Sequence, residues 1–190
     1  MPVSTLFVGI VSLFALGVCA LPTHLAPRQS ADDNIGLYLN DSNFDINYLQ
    51  TFRVLYANTS AYLGEIKYQT YSEPLVVNSF SGDDNSVTFL SIHSSPTGFQ
   101  QMYVVPHQSQ PVGFGVPHGG PPAGVRTTGF SFAADGTLLN IGLNLFHACQ
   151  DAALQAMNTY QIYWIASSFP PGMICKGPIK IQSGDACSRY

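Results

Sequence analysis

Residues 111–126 form a glycine- and proline-rich segment that is the first candidate for a ligand-binding site. It contains five glycines, four prolines, one histidine and one arginine. A phosphate-binding loop of such composition must lead into a helix, because backbone N–H groups and the helix dipole then converge on the anion. Residues 127–132 instead follow a strand pattern, and proline has no N–H to donate. We therefore predict a long, ordered hairpin or Ω-type loop across the mouth of a β-structure. Its candidate ligand contacts are Gly113, His118, Gly119 and Arg126.

The histidines, cysteines, serines and acidic residues do not stand at the spacings of known catalytic or metal-binding motifs. No two histidines stand at i, i+2 or i, i+4, which are spacings of zinc-binding motifs. A Gly-x-Ser-x-Gly nucleophile elbow is missing. His147 and Cys149 share one face of a predicted strand, but a disulfide at Cys149 would remove the nucleophile. Most acidic residues lie beside turn residues, whereas glycoside hydrolysis needs two carboxylates across a cleft. We predict no catalytic residue, no metal site and no cofactor.

The cysteines predict one disulfide. Cys19 lies in the predicted signal peptide at 1–20 and leaves with it, so the mature chain keeps Cys149, Cys175 and Cys187. In an oxidising compartment, one disulfide and one left-over thiol are expected. We favour Cys149 with Cys175, because each adjoins an apolar strand-like run while Cys187 lies in a polar tail.

The elements that must position these residues are short strands. Aromatic and β-branched residues alternate with period two between Gly, Asn, Asp, Ser and Pro. Asp135-Gly136 predicts a tight turn, and 151–157 is the one helical segment, with Asp151 as its cap. The pattern predicts an all-β fold, an antiparallel barrel or sandwich with at most one short helix. The predicted strands are 35–39, 52–57, 62–68, 75–80, 87–92, 101–105, 129–133, 138–141, 145–148, 160–166 and 179–181.

The start of the chain predicts export. An apolar run at 6–18 is followed by small residues suited to signal-peptide cleavage before Leu21, and the run is too short to span a bilayer. We expect a secreted protein, extracellular or in a fungal cell wall. The predicted divisions are a signal peptide at 1–20, a tail at 21–33, one β domain at 34–182 and a C-terminal tail at 183–190.

The amino-acid composition argues against two classes of binding partner. Only 9% of residues are charged, against roughly 25% in an average soluble domain. The formal charge of −4 and the scattered basic residues argue against nucleic acid or a membrane as partner. Asn40 and Asn58 begin Asn-x-Ser/Thr sequons, so both are predicted N-glycosylation sites.

Five segments, in order, carry a family resemblance. They are Gly129-Phe130-Ser131-Phe132, Asp135-Gly136-x-Leu138, Phe146-His147-Ala148-Cys149, Tyr160-Gln161-Ile162-Tyr163-Trp164 and Cys175-x-Gly177-x-Ile179. The pattern, over roughly residues 85–182, resembles the secreted fungal cell-wall proteins that include PhiA and the related IgE-binding and hypersensitive-response-inducing proteins. The resemblance implies a β-rich wall protein without an established catalytic site, and it implies the pairing of Cys149 with Cys175. This chain departs from the family at Cys187, which lacks a partner near the mature N-terminus, and at the proline-rich 116–122.

These features together predict a non-enzymatic, glycosylated, secreted fungal protein with a structural or polysaccharide-interacting role at the cell wall. Few charges and many aromatic and hydroxyl side chains suit contact with a neutral polysaccharide. Two alternatives are a diffusible effector or elicitor recognised by a plant host and a small secreted hydrolase.

Overall fold

The computed structural model describes residues 34–40, 53–64, 66, 72–78, 85–92 and 100–185. The predicted signal peptide at 1–20, the tail at 21–33, Cys187 and the last residues of the predicted C-terminal tail lie outside the described residues. The described part of the chain contains no helix that is long and apolar enough to cross a membrane.

Fifteen strands and one helix occur within the described ranges. They are β1 (Asn34–Leu39), β2 (Leu55–Ala57), β3 (Ser60–Leu63), β4 (Glu73–Pro74), β5 (Val76–Asn78), β6 (Thr88–Leu90), β7 (Gln100–Tyr103), β8 (Gln110–Pro111), β9 (Gly113–Phe114), β10 (Phe130–Phe132), β11 (Leu138–Asn140), β12 (Phe146–Gln150), α1 (Ala152–Ala156), β13 (Tyr160–Trp164), β14 (Ile174–Lys176) and β15 (Ile181–Asp185).

The strands pair antiparallel throughout. Thirteen of them form one sheet in the order β14-β12-β13-β3-β9-β7-β6-β5-β1-β15, while β2 joins β3 and β4, and β8 joins β13. β10 and β11 form a separate hairpin. The prediction of an all-β, antiparallel fold with at most one short helix is confirmed for the described residues.

A single main core draws side chains from strands that are far apart along the sheet. Leu37 of β1 and Phe146 of β12 belong to the same buried cluster although these strands lie near opposite ends of the strand order. The sheet therefore curls around this core. Tyr56 stacks on Phe89 with ring centroids 3.9 Å apart and meets Phe114 edge-on at 5.4 Å, an arrangement that stabilises aromatic cores.

Strand β13 is buried on both faces. Ile162 and Trp164 point into the main core. Tyr163 and the following Ile165 form a second buried cluster with Cys149. β13 pairs with β12, β3 and β8, so it is a central strand.

The predicted turn and helix cap are present. Gly136 has φ of 80° and donates its N–H to the carbonyl of Ala133 at 2.9 Å, which closes the β10–β11 turn. Asp151 caps α1, because its Oδ1 accepts a hydrogen bond from the N–H of Leu154 at 2.7 Å. Leu154 is the buried residue of this short helix.

Several element bounds differ from the sequence-based predictions. β3 begins at Ser60 where residue 62 was predicted, and β4, β8, β9 and β14 were not predicted. Residues 111–126 are not all loop, because β8 ends at Pro111 and β9 places Gly113 and Phe114, both buried, inside the sheet. Short length and high glycine content concealed this strand. At the other end, β15 continues to Asp185 through pairing with β1, three residues beyond the domain end predicted at 182.

Strand β14 is fixed to the sheet covalently. Cys149 of β12 and Cys175 of β14 lie directly opposite each other and are joined by a disulfide, the pairing that the sequence predicted. β14 has only three residues, and Ile174 and Lys176 on it are exposed. The cross-link therefore supports an edge strand that has little apolar burial of its own.

We expect the double substitution Cys149→Ala/Cys175→Ala to lower the free energy of unfolding by about 3.5 kcal/mol, because the disulfide closes a loop with a sequence separation of 26 and limits the unfolded chain. Urea denaturation measures this loss. Cys187→Ala is the control and should leave the unfolding midpoint unchanged. A double variant as stable as the wild type would contradict the expectation.

The buried position of Tyr163 predicts that the folded protein loses stability at alkaline pH. Burial raises the pKa of its hydroxyl above the ordinary 10.0, and the charge of Asp151 adds to the effect. Above pH 10 the unfolded chain thus releases a proton that the folded chain keeps, so the free energy of unfolding falls as pH rises through the folded pKa. Tyr163→Phe should make this fall shallower and leave stability at neutral pH nearly unchanged. Denaturation at several pH values tests it, and an identical slope would contradict it.

Candidate functional site

An open cleft of about 500 Å³ lies between the β2–β3 turn, the end of β7, strands β8 and β9, and residues 122–125. None of its lining residues is charged. Half of them carry an amide or hydroxyl side chain, and the other half are valine, proline, alanine or glycine. The polar lining residues are Asn58, Thr59, Ser60, Tyr103, Gln108, Gln110 and Gln161.

One wall of the cleft is a strained turn. Asn58 and Thr59 connect β2 to β3 with φ of 44° and 59°, which is the left-handed region that two-residue hairpin turns require. Asn suits this region, but a β-branched threonine there is strained. The Thr59 hydroxyl donates to the carbonyl of Asn58 at 2.7 Å. Backbone strain of this kind concentrates at functional sites.

The aromatic surface of the cleft is the ring of Tyr103. Tyr103 is opposite Gly113 in the β7–β9 pairing, and a Cβ atom at position 113 would overlap the tyrosine ring. Glycine is therefore the residue that lets the ring lie against the β9 backbone. Tyr103 is half-buried, and within the described ranges its hydroxyl has no hydrogen-bond partner, so it can serve a ligand.

A chain of hydrogen bonds orients Gln161. The buried Ser60 hydroxyl donates to the carbonyl of Val112 at 2.9 Å and accepts from Nε2 of Gln161, also at 2.9 Å. This uses the donor end of the Gln161 amide. Its Oε1 is left as the acceptor that the cleft can offer.

The structure brings one of the four predicted ligand contacts, Gly113, to the cleft. His118 and Gly119 are not among the lining residues; they belong to a turn closed by the Gly119 N–H on the carbonyl of Val116 at 2.9 Å. Arg126 also does not line it. Its backbone pairs with Val104 and its guanidinium donates to Oδ1 of Asn140 at 3.3 Å, which is a structural role.

The two predicted glycosylation sites differ in environment. Asn40 is exposed, and its amide donates to Oε1 of Gln182; the rest of its sequon lies outside the described residues. Asn58 is exposed and lines the cleft. Its side-chain amide makes no hydrogen bond to any described residue.

The His147–Cys149 pair is not arranged as a nucleophile and base. Cys149 is in the disulfide. Nδ1 of His147 lies 3.0 Å from the carbonyl of Leu145, and its ring packs edge-on against Phe169 at 5.7 Å between centroids. Within the described ranges no group of three or more His, Cys, Asp or Glu side chains is placed to hold a metal ion.

Sequence reasoning missed Tyr103 and Gln161 as cleft residues. Gln161 carried a weak signal, as the polar residue in an otherwise apolar strand. Gly113 carried no such signal, because it stands in a glycine- and proline-rich segment without strand alternation. The signal at Gln161 does not identify its partner, because Ser60 comes from another strand.

No family model, curated protein or solved structure matches the chain. The resemblance to fungal cell-wall proteins therefore stays a prediction from sequence, and the case for function depends on the cleft.

Gly113→Ala should displace the Tyr103 ring and lower the free energy of unfolding by about 1 kcal/mol, because the added methyl overlaps the far end of a half-buried ring that must turn away. Gly120→Ala is a matched control, since nothing lies within 4 Å of a Cβ there. In a Tyr103→Ala background the same Gly113→Ala change should cost much less. Urea denaturation of the wild type, the two single variants Gly113→Ala and Tyr103→Ala, and their double variant tests this coupling. An equal cost of Gly113→Ala in both backgrounds would refute it.

Proposed function

We propose that this protein binds a neutral polysaccharide in the cleft and acts as a secreted, non-enzymatic component of a fungal cell wall or surface. The observation that carries the proposal is the lining of the cleft, which combines amide and hydroxyl groups with a tyrosine ring and contains no ionised side chain. Sugars offer hydroxyls to hydrogen-bond and apolar C–H faces to pack on a ring. Polar groups that fix the orientation of a ligand beside an apolar surface are typical of binding sites.

The absence of charge in the lining favours uncharged ligands. A phosphate or carboxylate ligand would lose its water without gaining a cationic partner, and that desolvation is costly. A neutral sugar exchanges hydrogen bonds with water for hydrogen bonds with amides such as Gln161 at little net cost. The cleft is thus better suited to a neutral glucan or chitin chain than to an ionic ligand.

The same lining favours binding over hydrolysis. Glycoside hydrolysis typically uses an acid and a second carboxylate on opposite sides of the bond. The residues that line this cleft supply neither. Export is supported by the disulfide, because such bonds persist mainly in oxidising compartments.

Protein made without N-glycans should be retained by insoluble β-glucan or chitin, and Tyr103→Ala should weaken that retention about fivefold. The expected loss is about 1 kcal/mol, from removal of the aromatic surface. Tyr103→Phe should keep most of the binding, because the ring remains. Phe169→Ala is a matched control, since Phe169 is exposed but does not line the cleft.

Failure of the wild type to bind, or equal binding by Tyr103→Ala, would refute the proposal. Fractionation of the source culture gives a second measurement. Predominance in glucanase-released wall is the expected result, whereas predominance in free medium without polysaccharide affinity would favour a diffusible elicitor instead.

A further inference from the structure

We propose that Asn58 carries an N-linked glycan whose first sugars lie in the cleft and compete there with free polysaccharide. This inference rests on the proposed function, since both need the cleft to recognise sugar. It adds a modification that regulates the site. A protein with this glycan in place has a covered cleft, and removal of the glycan opens it.

Asn58 is suited to this role by its position. It is exposed, it lines the cleft, and its amide is not bonded to any described residue. The two-residue turn holds its backbone in the left-handed region, so the attachment point has a defined place beside the aromatic ring of Tyr103. Asn40 contrasts with it, because the Asn40 amide is engaged by Gln182 and Asn40 does not line the cleft.

The attachment is a group transfer from a lipid-linked oligosaccharide pyrophosphate, catalysed by the host transferase. Nδ2 of Asn58 forms a bond to the anomeric carbon of the first sugar. The bond from that carbon to the phosphate oxygen breaks, the lipid pyrophosphate leaves with the electron pair, and Nδ2 gives up one proton. The sequon hydroxyl, on Ser60, is buried and bonded to Val112 and Gln161 in the folded protein. Transfer therefore precedes the pairing of β3 with β9, and folding then closes the cleft beside the glycan.

A tether makes the competition effective. A sugar attached at the edge of a site has an effective concentration on the order of millimolar. A free oligosaccharide must displace it, and its apparent affinity falls by a factor of one plus the effective concentration divided by the dissociation constant of the attached glycan. With a dissociation constant of about 0.1 mM, a glycan at about 1 mM weakens apparent binding about tenfold. The chemistry of an N-glycan core also suits the cleft. Its sugars are uncharged, so they can make the same hydrogen bonds and ring contacts that we propose for a wall polysaccharide.

The test compares one chain with and without one glycan. Asn40→Asp protein, which retains only the Asn58 sequon, is made by secretion from an N-glycosylating host and in a bacterial periplasm. The glycosylated form should show an occupied Asn58 peptide by mass spectrometry and should bind laminarihexaose or chitohexaose about tenfold more weakly. Asn58→Gly protein from the same two hosts is the control. Its remaining sequon, at Asn40, does not line the cleft, so its two forms should bind equally, whatever their affinity. Gly is chosen because it takes the positive φ without adding a charge.

A second measurement does not depend on free ligand. Endoglycosidase H should release the Asn58 glycan slowly from the native protein and faster from Tyr103→Ala, while release from Asn40 stays the same. An unoccupied Asn58 peptide, equal binding by the two forms of Asn40→Asp, or a release rate unaffected by Tyr103→Ala would overturn the inference. Binding by unglycosylated protein in those cases leaves the proposed function standing. If unglycosylated protein binds neither oligosaccharide, the proposed function fails, and the release rates alone decide whether the glycan contacts the cleft.

Discussion

The backbone pairing of Gly113 with Ser60 on one side and Tyr103 on the other is the constraint on which the cleft depends. β9 has only two residues, yet it is the strand that connects β3 to β7 in the sheet order. Its backbone pairs with Ser60 of β3 on one side and with Tyr103 of β7 on the other. A Cβ atom at 113 would overlap the Tyr103 ring, so glycine lets the ring lie against this strand. Phe114 then points into the main core and anchors the connection with buried apolar area.

The cleft results from that pairing. Tyr103 covers Gly113, Ser60 pairs with Gly113 from the other side, and Gln161 is bonded to Ser60. Three strands that each contribute a polar side chain thus meet where the smallest residue leaves room. Only 9% of the residues of the chain are charged. The polar residues that line the cleft accordingly carry amides and hydroxyls. Such a surface recognises ligands by hydrogen-bond geometry and ring contact, with little dependence on salt.

Much of the fold followed from local patterns. Period-two alternation located most strands, including the central β13, and Asp135-Gly136 and Asp151 located a turn and a helix cap because their chemistry acts within a few residues. The failures also have local causes. β9 is too short and too glycine-rich to show alternation, and the Asn58–Thr59 turn has threonine where glycine normally signals a hairpin. Among the candidate ligand contacts, Gly113 lines the cleft. His118 and Arg126 belong to the same glycine-rich segment but do not line the cleft.

The sequence by itself determined the all-β class, the disulfide partners and the low charge density of the protein, 9% of residues. These depend on composition, on side-chain periodicity and on the chemistry of adjacent residues, which are all readable along one chain. Only the tertiary structure decided that Asn58, Tyr103 and Gln161 share one cleft. They come from the β2–β3 turn, β7 and β13, and their proximity follows from strand order and register. Strand order is set by how the sheet buries its core as a whole, and no local pattern carries that information.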